Sequence, residues 1–71
     1  MEANSKMLRI EGVVEEALPS LLFRVRINEK QILAHLAGRL KINHIRVIPG
    51  DKVLVEMASA EDERGRIVRR L

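Results

Sequence analysis

Apolar and polar residues alternate along five stretches of this chain, with the spacing of two that is typical of half-buried β-strands. The clearest stretch is 21–28, where Phe23, Val25 and Ile27 share one face and Arg24 and Arg26 the other. The same alternation begins at Met7 and returns in 31–37, 52–58 and 65–70. The residues predicted to face a common interior there are Leu8, Ile10, Gly12, Val14, Ile32, Ala34, Leu36, Val53, Val55, Met57 and Ile67. We therefore predict five short strands.

Turn signals separate these strands. Leu18-Pro19-Ser20, Asn28-Glu29-Lys30 and Pro49-Gly50-Asp51 are each rich in residues that favour reversals. The first three strands are close in sequence and are expected to form an antiparallel meander. Gly12 lies in the middle of the first strand, which indicates a bulge, a sharp bend or simply a weak point in that strand.

The stretch 38–48 breaks the period of two. It is too short for an independent helix, and we interpret it as a short helical turn followed by a loop. Five strands with one helical insertion after the third are typical of an all-β, five-stranded antiparallel OB-fold barrel with a short helical turn between strands 3 and 4. We expect residues 1–6 to be a flexible N-terminal lead-in and residues 7–71 to form a single OB-fold domain.

The composition favours binding over catalysis. With 71 residues the chain has room for one domain, and it contains no cysteine for a disulfide, a thiolate metal site or a nucleophile. His35 and His44 lack a third ligand at metal spacing. The neighbouring acids Glu15 and Glu16 point to opposite faces of a strand, unlike a facing catalytic pair. We expect no enzyme activity, catalytic residue, metal or cofactor.

The distribution of basic residues along the chain favours a nucleic-acid ligand. Lys and Arg number 13 against 10 Asp and Glu, which gives a net charge of +3. The bases gather in two segments, of which the first holds Arg39, Lys41 and Arg46. The second contains Arg64, Arg66, Arg69 and Arg70. Arginine bonds phosphates bidentately and stacks on bases, and on an OB barrel both segments could build one patch.

The sequence is compatible with two roles for Arg24 and Arg26. They lie opposite the predicted core face, so they could extend the basic patch. They could equally pair with Glu residues on a neighbouring strand.

Phe23 is the only aromatic residue, and its alternation places it in the core. Barrels that bind loose single strands usually offer several exposed rings for base stacking. The lack of such rings favours a folded RNA that is recognised by backbone and shape. The affinity should then depend steeply on salt.

The chain resembles a known family, bacterial-type translation initiation factor 1. The order and spacing of several segments carry the resemblance over nearly the whole chain from Ile10. They are Ile10-Glu11-Gly12-Val13-Val14-Glu15, Leu18-Pro19, Phe23-Arg24-Val25, Ala34-His35-Leu36-Ala37-Gly38-Arg39, Asn43-His44-Ile45-Arg46-Val47, Gly50-Asp51-Lys52-Val53 and Gly65-Arg66-Ile67.

The resemblance implies a protein that binds 16S-type ribosomal RNA in the aminoacyl site of the small ribosomal subunit, against a ribosomal protein. It implies that the protein blocks premature tRNA binding and assists initiation factors 2 and 3. By position, the RNA-binding residues would be Arg39, Lys41, Arg46, Arg64 and Arg66, with His35 and Asn43 nearby. We include Arg69 from the charge pattern. A monomer in the bacterial cytoplasm or an organelle stroma, without a membrane, is expected.

The chain departs from the family pattern in three places. Ile42 replaces a usual base, Ser59-Ala60-Glu61-Asp62 replaces a segment with a tyrosine, and Asn28-Glu29-Lys30 replaces an Asn-Gly turn. The family's contacts are therefore not assigned to the loop 58–63.

Two other functions are compatible with the sequence. A protein-interaction barrel would be supported by an exposed apolar patch of Leu33, Leu54 and Val68. A nucleic-acid chaperone of the cold-shock type would need exposed aromatic residues, which the chain lacks.

Overall fold

The computed structural model describes residues 7–71, so the predicted lead-in 1–6 lies outside the described residues. It contains five strands and one short helix. They are β1 (Leu8–Leu18), β2 (Leu22–Ile27), β3 (Lys30–Leu36), α1 (Gly38–Ile42), β4 (Lys52–Met57) and β5 (Arg64–Arg70). A 3-10 turn, Pro19–Leu21, joins β1 to β2. The predicted short helical turn is confirmed as α1.

The strands close into a barrel in the order β1-β2-β3-β5-β4. This confirms the five-stranded OB-type barrel, and the β1-β2-β3 meander is antiparallel as predicted. The prediction of an antiparallel barrel is wrong for one pair, because β3 and β5 run parallel. The reason is one of parity. Directions that alternate around a closed ring require an even number of strands, so a ring of five must contain a parallel pair.

β1 is long because it serves two neighbours. Its first half pairs with β4 from Leu8 to Val13, and its second half pairs with β2 from Val13 to Leu18. Gly12 lies near this exchange, and a Cβ at Gly12 would lie 2.6 Å from Cγ1 of Val25. The bulge itself is not at Gly12, as one interpretation of the sequence had it, but between Val14 and Glu16. Gly12 is thus required by close packing of β1 on β2.

Most of the alternating residues fill the barrel as predicted, but the prediction is wrong for Leu8, which is 40% exposed at the start of β1, and Ile10 is only partly buried. Buried core residues come from all five strands, and Phe23 is among them. They are Val14, Phe23, Val25, Ile27, Ile32, Ala34, Leu36, Leu40, Val47, Val53, Val55, Met57 and Ile67. Such apolar burial contributes about 25 cal/mol per Å² and is the main source of stability in a chain this small.

α1 closes one end of the barrel beside β5. The amide of Ala37, just before α1, donates a 2.9 Å hydrogen bond to the carbonyl of Ile67 in β5. Leu40 points from α1 into the core, and Ile45 and Val47 in the following loop also pack there. Ile42, in contrast, is 77% exposed. Leu40, Ile45 and Val47 therefore hold α1 and the following loop against the core, whereas Ile42 faces solvent.

Candidate nucleic-acid interface

Arg39 of the first basic segment and Arg66, Arg69 and Arg70 of the second line one open groove of about 740 Å³, between α1 and the outer face of β4 and β5. Apolar side chains that include Leu40, Ile45, Leu54 and Val68 form part of its lining. Five arginines also line it: Arg9, Arg39, Arg66, Arg69 and Arg70. A concave surface with this many guanidinium groups is suited to the phosphates of a nucleic acid.

Among residues 7–71, Glu56 is the one acid that lines this groove. Its side chain points to the outer face of β4, yet the residue is only 8% exposed. Its Oε2 accepts a 3.2 Å hydrogen bond from Nε of Arg9, and its Oε1 accepts a 2.5 Å hydrogen bond from Nη2 of Arg66. These two bonds, with that from Arg66 contributing most, hold the pKa of Glu56 below its usual value. Glu56 is thus a carboxylate with both oxygens engaged.

The register explains how these side chains meet. Arg9 of β1 lies directly opposite Glu56 of β4, and Glu56 lies directly opposite Arg66 of β5. Arg66 in turn lies opposite His35 of β3, across the parallel pair. One continuous row of outward side chains therefore crosses four strands, with the carboxylate between the two guanidinium groups.

His35, Arg64 and Arg66 line a second, shallower hollow on the other side of this row. Arg66 and Glu56 border both hollows. Three predicted RNA-binding residues, Arg39, Arg66 and Arg69, are thus brought together in the groove, and His35 and Arg64 lie beside it.

The other three predicted residues, Lys41, Asn43 and Arg46, lie on α1 and the loop after it and are not lining residues of either hollow. Asn43 ends α1, and its amide donates to the carbonyl of Arg39. Arg46 is linked to β5 through its backbone, because Nη1 of Arg70 donates to its carbonyl at 3.1 Å. A ligand that contacts these three residues must therefore extend beyond the groove.

Arg24 and Arg26 take the second of their two predicted roles. Nε of Arg24 donates to Glu16 at 3.0 Å, and Nε of Arg26 donates to Glu15 at 2.6 Å. Gln31 adds a second bond to Glu15 at 2.7 Å. The two arginines form cross-strand pairs between β1 and β2 and do not line the groove.

Sequence reasoning missed Arg9, Arg70 and Glu56. Arg9 and Glu56 each occupy a polar position of an alternating stretch, and the sequence around them carries no further signal. Arg70 is one of four terminal arginines, and nothing in the sequence distinguishes it from its neighbours as a groove residue. Only the register of β1, β4 and β5 places the three residues at the groove.

Leu33, Leu54 and Val68 do not form the exposed apolar patch that a protein-interaction barrel would need. All three are half-buried, and Leu54 and Val68 lie within the arginine-lined groove. Within residues 7–71, no cluster of three or more His, Asp or Glu side chains could hold a metal ion. No helix in this range is long and apolar enough to cross a membrane.

Comparison with known proteins connects this barrel to translation. The chain shares 41% sequence identity with translation initiation factor 1 from the Wolbachia endosymbiont strain TRS of Brugia malayi. The solution structure of that protein superimposes with a TM-score of 0.75, over 92% of this chain and 78% of the other. YjeQ from Thermotoga maritima is 27% identical, with a TM-score of 0.71, over 90% of this chain but only 23% of YjeQ.

The family model described as "eIF-1a: Translation initiation factor 1A / IF-1" matches residues 1–71. This match spans the barrel, α1 and every residue of the arginine-lined groove. The chain belongs to the translation initiation factor 1A / IF-1 family.

Proposed function

We propose that this chain is an initiation factor that binds ribosomal RNA in the aminoacyl site of the small ribosomal subunit. There it prevents premature binding of tRNA and assists initiation factors 2 and 3, as a monomer in the bacterial cytoplasm or an organelle stroma. It acts by occupying the site and catalyses no reaction. The observation that carries the proposal is the arginine-lined groove on a barrel of this family.

The geometry of the groove supports a folded RNA as the ligand. Guanidinium groups from β1, α1 and β5 line the groove together with several apolar side chains, so one RNA segment could contact several strands at once. The only aromatic side chain, Phe23, is 4% exposed and is not available for base stacking. Phosphate and sugar contacts to a fixed RNA shape would then supply most of the binding energy.

The ligand also has to be large. Lys41, Asn43 and Arg46 lie on α1 and the loop after it, outside the lining of the groove, and His35 and Arg64 line the neighbouring hollow. A mononucleotide could not reach both sets, whereas a ribosomal RNA surface could. We therefore assign RNA contacts to Arg39, Arg66 and Arg69 in the groove and to Lys41, Asn43, Arg46, His35 and Arg64 at its margins.

A chemical footprint on purified bacterial small ribosomal subunits tests this proposal. The chain should protect a small set of nucleotides at the aminoacyl site and should reduce tRNA binding there. Arg46→Ala and Arg66→Ala should weaken subunit binding at moderate salt and leave the fold intact. Protection elsewhere, or unchanged binding by both variants, would show that the assignment is wrong.

A pull-down of intact ribosomes by this chain, before and after nuclease treatment, gives a second test. Retention of the bound partner after the RNA is destroyed would also contradict the proposal. In that case the groove would bind an acidic protein surface. Equal affinity for short unstructured oligonucleotides and for small subunits would instead indicate a general nucleic-acid chaperone.

A further inference from the structure

An acid in a groove lined by five arginines requires an explanation. Glu56 places a negative charge where an RNA phosphate would have to approach, and like charges repel. Net charge alone would favour a neutral residue at this position. The carboxylate must therefore contribute something that outweighs this repulsion.

The contacts of Glu56 show what that contribution is. It uses Oε1 for Arg66 and Oε2 for Arg9, and the backbone register places both arginines directly opposite it. Each arginine commits one of its five N–H donors to the carboxylate and keeps the others. The arginine side chains remain 63% and 49% exposed, whereas that of Glu56 is 9% exposed.

We propose that Glu56 is a positioning residue of the RNA-binding surface, whose carboxylate fixes the guanidinium groups of Arg9 and Arg66 in the direction in which they meet RNA phosphates. This inference rests on the proposed function, because it concerns the same groove. Pre-orientation matters because ordering a long side chain upon binding costs about two- to tenfold in affinity. Burial would raise the pKa of Glu56, but the hydrogen bonds from Arg66 and Arg9 lower it, so the carboxylate is charged at neutral pH.

Glu15 offers a matched control. Its two carboxylate oxygens are also both engaged, by Arg26 and Gln31, and it lies outside the groove. Glu15→Gln and Glu56→Gln each remove one negative charge and disturb one two-partner carboxylate. If net charge were the only effect, both variants would bind small ribosomal subunits more tightly than the wild type.

If Glu56 has the positioning role, the two variants should differ in their affinity for small ribosomal subunits. Because two arginines lose their fixed direction, we expect Glu56→Gln to bind purified bacterial small subunits about tenfold more weakly than Glu15→Gln. In an Arg9→Ala/Arg66→Ala background, the same change should no longer weaken binding. Binding by Glu56→Gln that is as tight as that of Glu15→Gln would overturn the proposal.

Glu56→Asp provides a second variant that keeps the charge. Its shorter side chain cannot reach both guanidinium groups, so it should also weaken binding, although the net charge of the chain is unchanged. Thermal melting followed by circular dichroism shows whether each variant is folded. Wild-type affinity in folded Glu56→Asp would contradict the positioning role.

A measurement on the wild-type chain decides the question even if neither variant folds. Relaxation of the Arg Nε–H groups by NMR should give Arg9 and Arg66 order parameters near those of a rigid backbone, about 0.85, with Arg39 and Arg69 below about 0.6. Equal mobility of all four would overturn the proposal. A wild-type chain with rigid Arg9 and Arg66 but no affinity for small subunits would instead refute the proposed function.

Discussion

Gly65 lies in β5, directly above buried side chains of β4, and it provides a sharp test of the packing beneath the groove. A Cβ at this position would lie 2.6 Å from Cγ1 of Val55, 3.1 Å from Cγ of Met57 and 3.2 Å from the carbonyl oxygen of Glu56. Val55 has no exposed surface, so its methyl group has no open space into which it could move. Gly65→Ala should therefore force β5 away from β4.

The expected magnitude combines two opposing effects. Overpacking of a tight core costs about 1–3 kcal/mol in the free energy of unfolding. Replacing glycine in a strand recovers roughly 0.5–1 kcal/mol of backbone entropy. The net destabilisation is then on the order of 1–2 kcal/mol, which lowers the Tm of a domain of this size by about 5–15 °C.

Thermal and urea unfolding of Gly65→Ala and Gly38→Ala provide the assay and its control. A Cβ at Gly38 would meet nothing within 4 Å, and this residue begins α1. Gly38→Ala should therefore raise the free energy of unfolding, by up to about 1 kcal/mol. The same chemical change should thus have opposite signs at the two positions.

Gly65→Ala with a Tm equal to or above that of the wild type would refute this reasoning. A rescue variant makes the test stricter. Val55→Ala removes the methyl group that the new Cβ would meet, so Val55→Ala/Gly65→Ala should be more stable than the sum of the two single effects, by about 1 kcal/mol. Simple additivity would show that the two side chains do not collide.

Three further predictions concern charge. Arg39→Ala and Arg69→Ala should each weaken binding to small ribosomal subunits and reduce the steepness of log affinity against log salt by about 0.7–0.9. Arg24→Ala is the control, because Arg24 lies outside the groove and its loss should leave this slope unchanged. Equal slopes for all three variants and the wild type would contradict the assignment. Hydrogen bonds from Arg26 and Gln31 lower the pKa of Glu15 from 4.5, so its stabilisation is complete above about pH 4.5 and is lost as the pH falls through the folded pKa. Glu15→Gln should flatten the acid side of the unfolding free energy plotted against pH, and an unchanged curve would contradict this. Asp62 accepts hydrogen bonds from two loop amides, so Asp62→Ala should lower the unfolding free energy by about 1 kcal/mol in urea titrations; a neutral result would show that those bonds contribute little.

Much of the fold could be predicted from the period of two. Alternation assigned the faces of β2, β3 and β4 correctly because one face of each strand is buried in the barrel. The parallel β3–β5 pair could have been deduced as well, since a closed ring of five strands cannot alternate throughout. The bulge after Val14 could not, because Gly12 gave a stronger sequence signal for packing that involves no bulge.

The candidate site was predicted only in part. Arg39, Arg66 and Arg69 stand out by charge and by family resemblance, and the structure brings them together. Arg9 and Glu56 are 47 positions apart and carry no local signal, so only the β1–β4 register reveals that they are partners. Burial of Glu56 was equally invisible, because its cover consists of arginines from two other strands.

The parallel pair also has a consequence for folding kinetics. The β1-β2-β3 meander pairs strands that are near neighbours in sequence, but the meander alone does not form the groove. The arginines of α1 and β5 reach Arg9 only after β5 has joined β3 on one side and β4 on the other. RNA binding should therefore return in refolding only when the ring has closed, because the meander alone lacks the arginines of α1 and β5.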